Sequence, residues 1–174
     1  FYKWSGGGRI PIFCDTTSCT HTLLFETGGD ILTPENREKY KQLKIMDITQ
    51  WLKEVVLPRI KVIRPKNRIL LHPTCSCQIM GLTPVLLDIA RKCAGEVILP
   101  DNWGCCGASG DRGFIFPELS DSATRDERDE IGHESFDGCY SLARTCEIAM
   151  QDHIEQPYES IVYLVDETIQ DQGT

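Results

Sequence analysis

Residues 68–93 read RILLHPTCSCQIMGLTPVLLDIARKC, and this stretch decides the fold. The apolar run at 68–71 is typical of a buried strand, and the loop HPTC at 72–75 follows it. Thr83 with the next residue, a proline, then starts a helix. The apolar residues of this helix recur at helical spacing: Leu86, Ile89, Ala90 and Cys93. The stretch therefore predicts a strand, a thiol-bearing loop and a helix.

Two further strand candidates lead into cysteines in the same way. Residues 9–13 run into Cys14 and Cys19, and residues 96–99 run into the glycine-rich segment GCCGASGDRG at 104–113. Ligands of α/β proteins gather at the carboxyl ends of strands, which is where these loops fall. We therefore expect an α/β fold with a mostly parallel sheet flanked by helices, and thiol-bearing loops at the C-terminal ends of its strands.

Helical patterns separate and follow the strand candidates. Residues 34–43 are charged and favour a helix, and Thr49 is predicted to cap another helix that ends before Pro58. Residues 120–131 are nearly all polar and predict a solvated helix, whereas residues 161–169 outline a closing amphipathic helix. The first two of these helices, at residues 34–43 and after Thr49, are expected to cover the sheet.

Composition excludes several classes of protein. The 174 residues carry 18 Lys and Arg against 26 Asp and Glu, a net charge of −8, and no basic cluster suited to nucleic acid. The longest apolar run, residues 161–165, is far too short to cross a membrane. Nine cysteines cannot all pair within one chain, so we expect a reducing, cytoplasmic compartment. The start at Phe1 suggests a piece of a longer protein.

The adjacent pair Cys105 and Cys106 is the strongest chemical signal, with Cys75 before it and Cys146 after it. Neighbouring side chains point apart, so two adjacent thiolates bind different irons of a cluster more naturally than one zinc ion. Nearby glycines let backbone N–H groups approach the sulfurs. Two other interpretations of the loop are a pair of buried free thiols and a phosphate cradle, whose motif spacings are absent.

The remaining cysteines divide into two groups. Cys93 lies on the apolar face of its helix, and Cys77 and Cys139 have no partner at a convincing spacing, so all three are predicted to be structural. Cys14 and Cys19 resemble a C-x-x-x-x-C clip, of which Cys19 is the better ligand candidate.

Three other polar residues flank the proposed ligands. His72 is predicted to form hydrogen bonds at the end of its strand rather than to bind metal. Asp111 and Arg112 form either a buried pair that orients the cysteine loop or a solvated turn. We also expect the metal-free protein to fold, with residues 104–113 as its most mobile segment.

Residues 72–75 (HPTC), residues 104–107 (GCCG) and the late Cys146 resemble the cysteine-rich CCG domain. This domain occurs in heterodisulfide reductases and in iron-sulfur subunits of glycolate, glycerol-3-phosphate and lactate oxidation systems. Residues 106–114 (CGASGDRGF) and 144–147 (RTCE) are most similar to one branch, the FAD-linked oxidases of D-2-hydroxy acids. In D-lactate and D-2-hydroxyglutarate dehydrogenases of this branch the domain is C-terminal. The resemblance runs from about residue 10 onward.

The resemblance implies an iron-sulfur domain that relays electrons from FAD, bound elsewhere in the parent chain, to a quinone or another carrier. Its partners would be a flavin domain and an upstream iron-sulfur domain, and it would lie in the cytoplasm or at the membrane periphery. This part alone would not turn over substrate. Residues 1–60 would be the tail of an upstream CCG-like lobe, and residues 61–174 the CCG domain itself.

The resemblance also implies the site residues. The implied metal ligands are Cys75, Cys105, Cys106, Cys146 and Cys19, and the implied cofactor-binding residues are Gly107, Gly110, Asp111 and Arg112.

One departure from the family motif concerns cluster type. Ala143 stands where the fullest motif has a further cysteine, three residues before Cys146. This favours a four-thiolate 4Fe-4S site, or a five-thiol site completed by Cys19, over a noncubane double cluster. A thiol-disulfide module of the heterodisulfide reductase kind and a structural metal-binding domain are the alternatives.

Overall fold

The computed structural model describes residues 1–27 and 31–169. The strands in these residues are β1 (Ile12–Cys14), β2 (Ile45–Asp47), β3 (Lys66–Leu71), β4 (Ala94–Ile98), β5 (Gly138–Ser141) and β6 (Tyr158–Ser160). The helices are α1 (Thr17–His21), α2 (Pro34–Tyr40), α3 (Ile48–Trp51), α4 (Cys75–Ile79), α5 (Thr83–Cys93), α6 (Arg112–Ile115), α7 (Pro117–Ile131), α8 (Arg144–Ile154) and α9 (Ile161–Thr168). Helices α1 and α3 continue as the π-helical segments Thr22–Glu26 and Leu52–Val56. No helix within the described residues combines the length and apolar character that a membrane span needs.

The larger sheet has the order β4-β3-β5-β6, and all of its strand pairs are parallel. The chain passes from β3 outward to β4 and then returns to place β5 on the other side of β3. Such a reversal opens a crevice between the carboxyl ends of two adjacent strands, here β3 and β5. Strands β1 and β2 form a separate parallel pair. The predicted α/β class with a parallel sheet and flanking helices is confirmed.

Strand β3 lies at the centre of the core because both of its faces are covered. Ile69 and Leu71 point into one apolar cluster, Leu70 points into another, and none of the three is exposed to water. Alternate side chains of a strand face opposite sides, so a strand covered on both faces needs a continuous apolar run. The helical face predicted for α5 packs in the first cluster: Leu86, Ile89, Ala90 and Cys93.

Helix α3 begins two residues earlier than the sequence suggests. Asp47, not Thr49, is its N-cap: the Asp47 carboxylate accepts hydrogen bonds from the backbone N–H of Thr49 at 2.9 Å and from the Thr49 hydroxyl at 2.6 Å. The prediction of Thr49 as the cap was therefore wrong. Beyond it, Leu52 and Leu57 pack in the core of the larger sheet. The segment just before the predicted domain boundary at residue 60 therefore packs in the same core as the larger sheet.

Helix α7 is only partly solvated, which corrects the prediction for residues 120–131. One face of the helix is buried, and it consists of Ser120, Thr124, Glu127 and Ile131. The Thr124 hydroxyl donates a hydrogen bond of 2.8 Å to the carbonyl oxygen of Ser120. Small hydroxyl residues can line a buried helix face in this way because the helix backbone supplies their acceptors.

Candidate metal centre

Three cysteine-bearing segments meet where β3, β4 and β5 end. Cys75 is the first residue of α4, directly after β3, and Cys146 lies in the first turn of α8, directly after β5. Cys105 and Cys106 lie in the segment that follows β4. Because these three strands are parallel neighbours, their carboxyl ends share one edge of the sheet.

The four thiols form a continuous row at this edge. The Cys106 and Cys146 sulfurs are 2.9 Å apart, and the thiols of Cys106 and Cys75 lie close enough to that of Cys105 to shift its pKa. Cys75 and Cys105 are exposed, whereas Cys106 and Cys146 are buried. The structure therefore brings together the four predicted ligands, two at the surface and two beneath it. Their binding of a metal stays a prediction.

Contacts among these thiols control their acidity. Donation of a hydrogen bond to Cys106, together with burial, raises the pKa of Cys105. The hydrogen bond from Cys105 lowers the pKa of Cys106, but the contact with Cys146 and burial outweigh it and raise that pKa to about 12. Burial and the neighbouring Cys105 raise the pKa of Cys75. These three groups are therefore protonated at neutral pH without a metal, and metal binding must displace protons.

The contact between the Cys106 and Cys146 sulfurs is too short for them to ligate either one zinc ion or two irons of a cluster without moving. Two thiolates on one tetrahedral zinc stand about 3.8 Å apart, given Zn–S bonds of about 2.3 Å. The 2.9 Å between Cys106 and Cys146 is shorter, so these sulfurs must separate on binding. Within residues 1–27 and 31–169, no three His, Cys, Asp or Glu side chains are grouped as ligands of one ion. Four cysteine thiolates are the usual ligands of a 4Fe-4S iron-sulfur cluster, in which each thiolate binds a different iron atom.

Gly107 holds the cysteine loop against α7. Its φ is +73°, and a Cβ at this position would lie 2.6 Å from the carbonyl oxygen of Leu119 and 2.7 Å from Cα of Ser120. Its N–H donates to the sulfur of Cys105 at 3.4 Å. Backbone donors to a ligating sulfur stabilise its thiolate form. Only glycine therefore allows both the close packing and this hydrogen bond.

The other implied cofactor-binding residues lie at the surface. Gly110, Asp111 and Arg112 are all exposed. This exposure favours the solvated turn over the buried Asp111–Arg112 pair, the other interpretation that the sequence left open. Gly110 has a φ of +75°, and a Cβ there would meet no atom within 4 Å. A role for these three residues in cofactor binding stays a prediction.

His72, which precedes the proposed ligand Cys75, forms a buried polar pair with Glu127, and the sequence indicated only the histidine. His72 Nδ1 lies 3.0 and 3.2 Å from the two carboxylate oxygens of Glu127, and both side chains are at most 2% exposed. Hydrogen bonding by His72 was predicted and is confirmed. Its Nε2 is buried without a partner, and its ring packs edge-on against Tyr158, whose hydroxyl is also unpartnered. Tyr158 belongs to the same apolar cluster as Cys106 and Cys146.

The other cysteines lie apart from this row of contacts. Cys77, Cys93 and Cys139 are buried, as expected of structural residues. Burial and then the neighbouring Cys14 raise the pKa of Cys19, and both residues line one cavity, so the two cysteines of the predicted clip lie near each other. The assignment of Cys19 as a fifth ligand stays a prediction.

A cavity of about 380 Å³ opens beside the first turn of α8. Asp15, Glu147 and Glu159 contribute carboxylates to its wall, and Arg144 contributes the cation. Glu147 is 4% exposed and accepts a hydrogen bond from Arg144 at 3.1 Å. Burial raises the pKa of Glu147 despite this favourable contact. The ionised form of Glu147 is therefore disfavoured in the folded protein.

Comparison with known proteins adds no assignment. No protein-family model matches this chain, and no curated protein matches it either. The resemblance to the CCG domain therefore rests on the cysteine motifs.

Proposed function

We propose that Cys75, Cys105, Cys106 and Cys146 hold an iron-sulfur cluster, of the 4Fe-4S type, and that this chain is an electron-transfer domain. The observation that carries the proposal is the continuous row of four thiols at the shared carboxyl edge of β3, β4 and β5. Three separate chain segments supply these thiols, so their convergence is a property of the fold rather than of sequence proximity.

The bound cluster would supply one-electron redox chemistry. The chain's own residues divide the remaining tasks. Cys106 and Cys146 exclude water because they are buried, whereas the exposed Cys75 and Cys105 lie where a partner can approach. The N–H of Gly107 donates to the Cys105 sulfur and so offsets part of the negative charge gathered there.

The motifs favour a parent enzyme that oxidises a D-2-hydroxy acid, of the D-lactate or D-2-hydroxyglutarate type. In this proposal a flavin domain takes hydride from the substrate, and this domain, with an upstream iron-sulfur domain, passes electrons to a quinone or another carrier. We assign substrate oxidation to the flavin domain, and a cytoplasmic or peripheral membrane location to the whole protein.

One observation favours a second candidate, a thiol-disulfide module. The 2.9 Å contact between the Cys106 and Cys146 sulfurs is the approach that two thiols make before they form a disulfide. A structural zinc domain is less well supported, because the adjacent thiols of Cys105 and Cys106 point apart and so suit different irons of a cluster better than one zinc ion.

Cluster assembly in matched variants tests the proposal. Cys146→Ser and Cys139→Ser both alter a buried thiol of the same apolar cluster, but only Cys146 contacts another thiol of the row. After anaerobic reconstitution with iron and sulfide, we expect Cys139→Ser to show the visible absorption of a cluster and, once reduced with dithionite, its electron paramagnetic resonance signal. Cys146→Ser should show neither. Equal cluster content in both variants would contradict the assignment.

The redox role requires a second experiment with the parent enzyme. In the complete enzyme, a D-2-hydroxy acid should reduce the cluster through the flavin, and Cys105→Ser should leave flavin reduction intact while abolishing reduction of the acceptor. Reduction of a disulfide substrate in place of that acceptor would favour the thiol-disulfide module instead.

A further inference from the structure

Cys14 and Cys19 form a second pair of thiols, separate from the row described above. Cys14 ends β1, and Cys19 lies in the first turn of α1. Both residues line the same cavity, and Cys14 lies close enough to Cys19 to add to the effect of burial in raising the pKa of the Cys19 thiol. The Cys14 thiol donates a hydrogen bond to the carbonyl oxygen of Thr16 at 3.5 Å. The short turn between β1 and α1 therefore brings the thiol at the end of the strand near the thiol in the helix.

Both thiols line one cavity of about 460 Å³. Phe1 and Leu23 contribute an aromatic ring and an aliphatic chain to its wall, and Ser18 and Thr22 complete the lining. Cavities of about 300 to 1,000 Å³ with mainly apolar walls are typical of small-molecule sites. Cys19 is exposed, and Cys14 is partly exposed, so a molecule in this cavity can reach both sulfurs.

We propose that Cys14 and Cys19 are a dithiol-disulfide couple that exchanges with a small aromatic disulfide bound in this cavity. The apolar wall selects the substituents of the disulfide, and the paired thiols react with its S–S bond. This inference uses none of the four proposed ligands, so it stands whether or not they bind iron. It also gives Cys19 a partner other than the cluster.

The exchange proceeds in two steps, and its atoms and electrons are conserved. The Cys19 thiolate attacks one sulfur of the bound disulfide, which breaks the S–S bond, forms a mixed disulfide and releases the first thiol. The Cys14 thiol then attacks the Cys19 sulfur and releases the second thiol. The small disulfide gains two electrons and takes up the two protons of the cysteines, and the protein gains one Cys14–Cys19 disulfide.

Reaction of the whole chain with 2,2′-dipyridyl disulfide tests the pairing. Burial raises the pKa of Cys19, so the reaction is run in mildly alkaline buffer, where more thiolate is present. Cleavage after Arg9 and Arg37 releases residues 10–37, whose only cysteines are these two. We expect this peptide to lose two hydrogens and to retain no pyridyl group. Separate pyridyl adducts on the two cysteines, two unreacted thiols, or a bond from Cys19 to another segment would each overturn the pairing.

Single cysteine variants, which cannot form the Cys14–Cys19 disulfide, show which of the two thiols attacks first. In Cys14→Ser, Cys19 should keep one pyridyl group as a stable mixed disulfide, because the second nucleophile is gone. In Cys19→Ser, the peptide should react much more slowly, since the less exposed Cys14 must attack first. A faster reaction in Cys19→Ser than in Cys14→Ser would contradict the proposed order.

A matched pair of variants tests the cavity. Leu23→Trp fills part of the cavity, whereas Leu24→Trp enlarges an adjacent side chain that is 43% exposed and does not line it. We expect Leu23→Trp to slow reaction with 2,2′-dipyridyl disulfide by about tenfold, equivalent to about 1.4 kcal/mol. Leu24→Trp should react like the unaltered protein. Oxidised glutathione, which has no aromatic ring, should react slowly with the unaltered protein and with both tryptophan variants. Equal rates for both tryptophan variants would show that the cavity does not bind the disulfide.

Discussion

The sulfur atoms of Cys106 and Cys146 lie 2.9 Å apart, although 40 positions separate the two residues in the chain. Their contact depends on the strand order, because the segment after β4 must reach across the end of β3 to meet the helix after β5. It also sets the first requirement for cofactor binding, since two sulfurs at this distance must move apart to hold separate metal atoms.

Serine variants should separate ligand cysteines from core cysteines. Cys105→Ser and Cys106→Ser are expected to abolish cluster assembly, because thiolate is the ligand that iron-sulfur clusters require. Cys93→Ser should still assemble the cluster but lose about 1 to 3 kcal/mol of stability, because Cys93 is fully buried in the apolar core. Iron content and urea unfolding measure the two effects. Equal loss of iron in all three variants would contradict this division.

Two glycine variants should differ in their effect on stability. Gly110→Ala is expected to cost about 1 to 2 kcal/mol, because φ is positive there but the surrounding space is open. Gly107→Ala should cost about a further 1 to 3 kcal/mol, because its new methyl group meets the backbone of α7. Chemical unfolding of both variants measures the difference. Equal losses would show that the loop does not pack against α7 as described.

The buried pair of His72 and Glu127 should show strong energetic coupling. Either His72→Ala or Glu127→Ala leaves a buried polar group without its partner, so we expect each to cost about 3 to 5 kcal/mol. The double variant should be more stable than the sum of the two losses predicts, by about 1 to 3 kcal/mol. A double-mutant cycle by urea unfolding provides this value, and strictly additive losses would contradict the pairing.

Glu147 should make stability fall as the pH rises. Its pKa is raised in the folded protein, so its contribution is complete below the ordinary glutamate pKa of about 4.3 and is lost as the pH rises through the folded-state pKa. Glu147→Gln should remove this fall and be at least as stable as the unaltered protein at neutral pH. Arg144 is 70% exposed, so loss of its contact costs little.

Thermal unfolding across this pH range tests the effect, with Glu159→Gln as the control. Glu159 lines the same cavity but is exposed to water. An unchanged pH dependence in Glu147→Gln, or the same change in both variants, would show that burial of Glu147 is not its source.

The central unit of the fold could be predicted because its sequence pattern is continuous. The apolar run at 68–71 and the helical spacing of Leu86, Ile89 and Cys93 both match the burial that the structure shows. The convergence of the cysteine loops also followed from the pattern, because parallel strands in one sheet end at the same edge. Long periodic segments carry enough repeats to define one buried face.

Features that depend on tertiary contacts could not be predicted. Strand β5 has only four residues, Gly138–Ser141, which are too few to show the alternation of a strand in the sequence. Only its pairing with β3 identifies it as a strand. Glu127 lies in a run of charged residues, and only the approach of His72 distinguishes it from its neighbours. The close packing of Gly107 against α7 could not be predicted either, and the mobility of residues 104–113 stays a prediction.

Iron and acid-labile sulfide, measured per chain after anaerobic reconstitution, test the proposed cluster most directly. Convergence of Cys75, Cys105, Cys106 and Cys146 at one edge predicts that both elements are retained in near-equal amounts after desalting. Retention of zinc without sulfide, or loss of both iron and sulfide from the folded protein, would contradict the assignment of these thiols as cluster ligands.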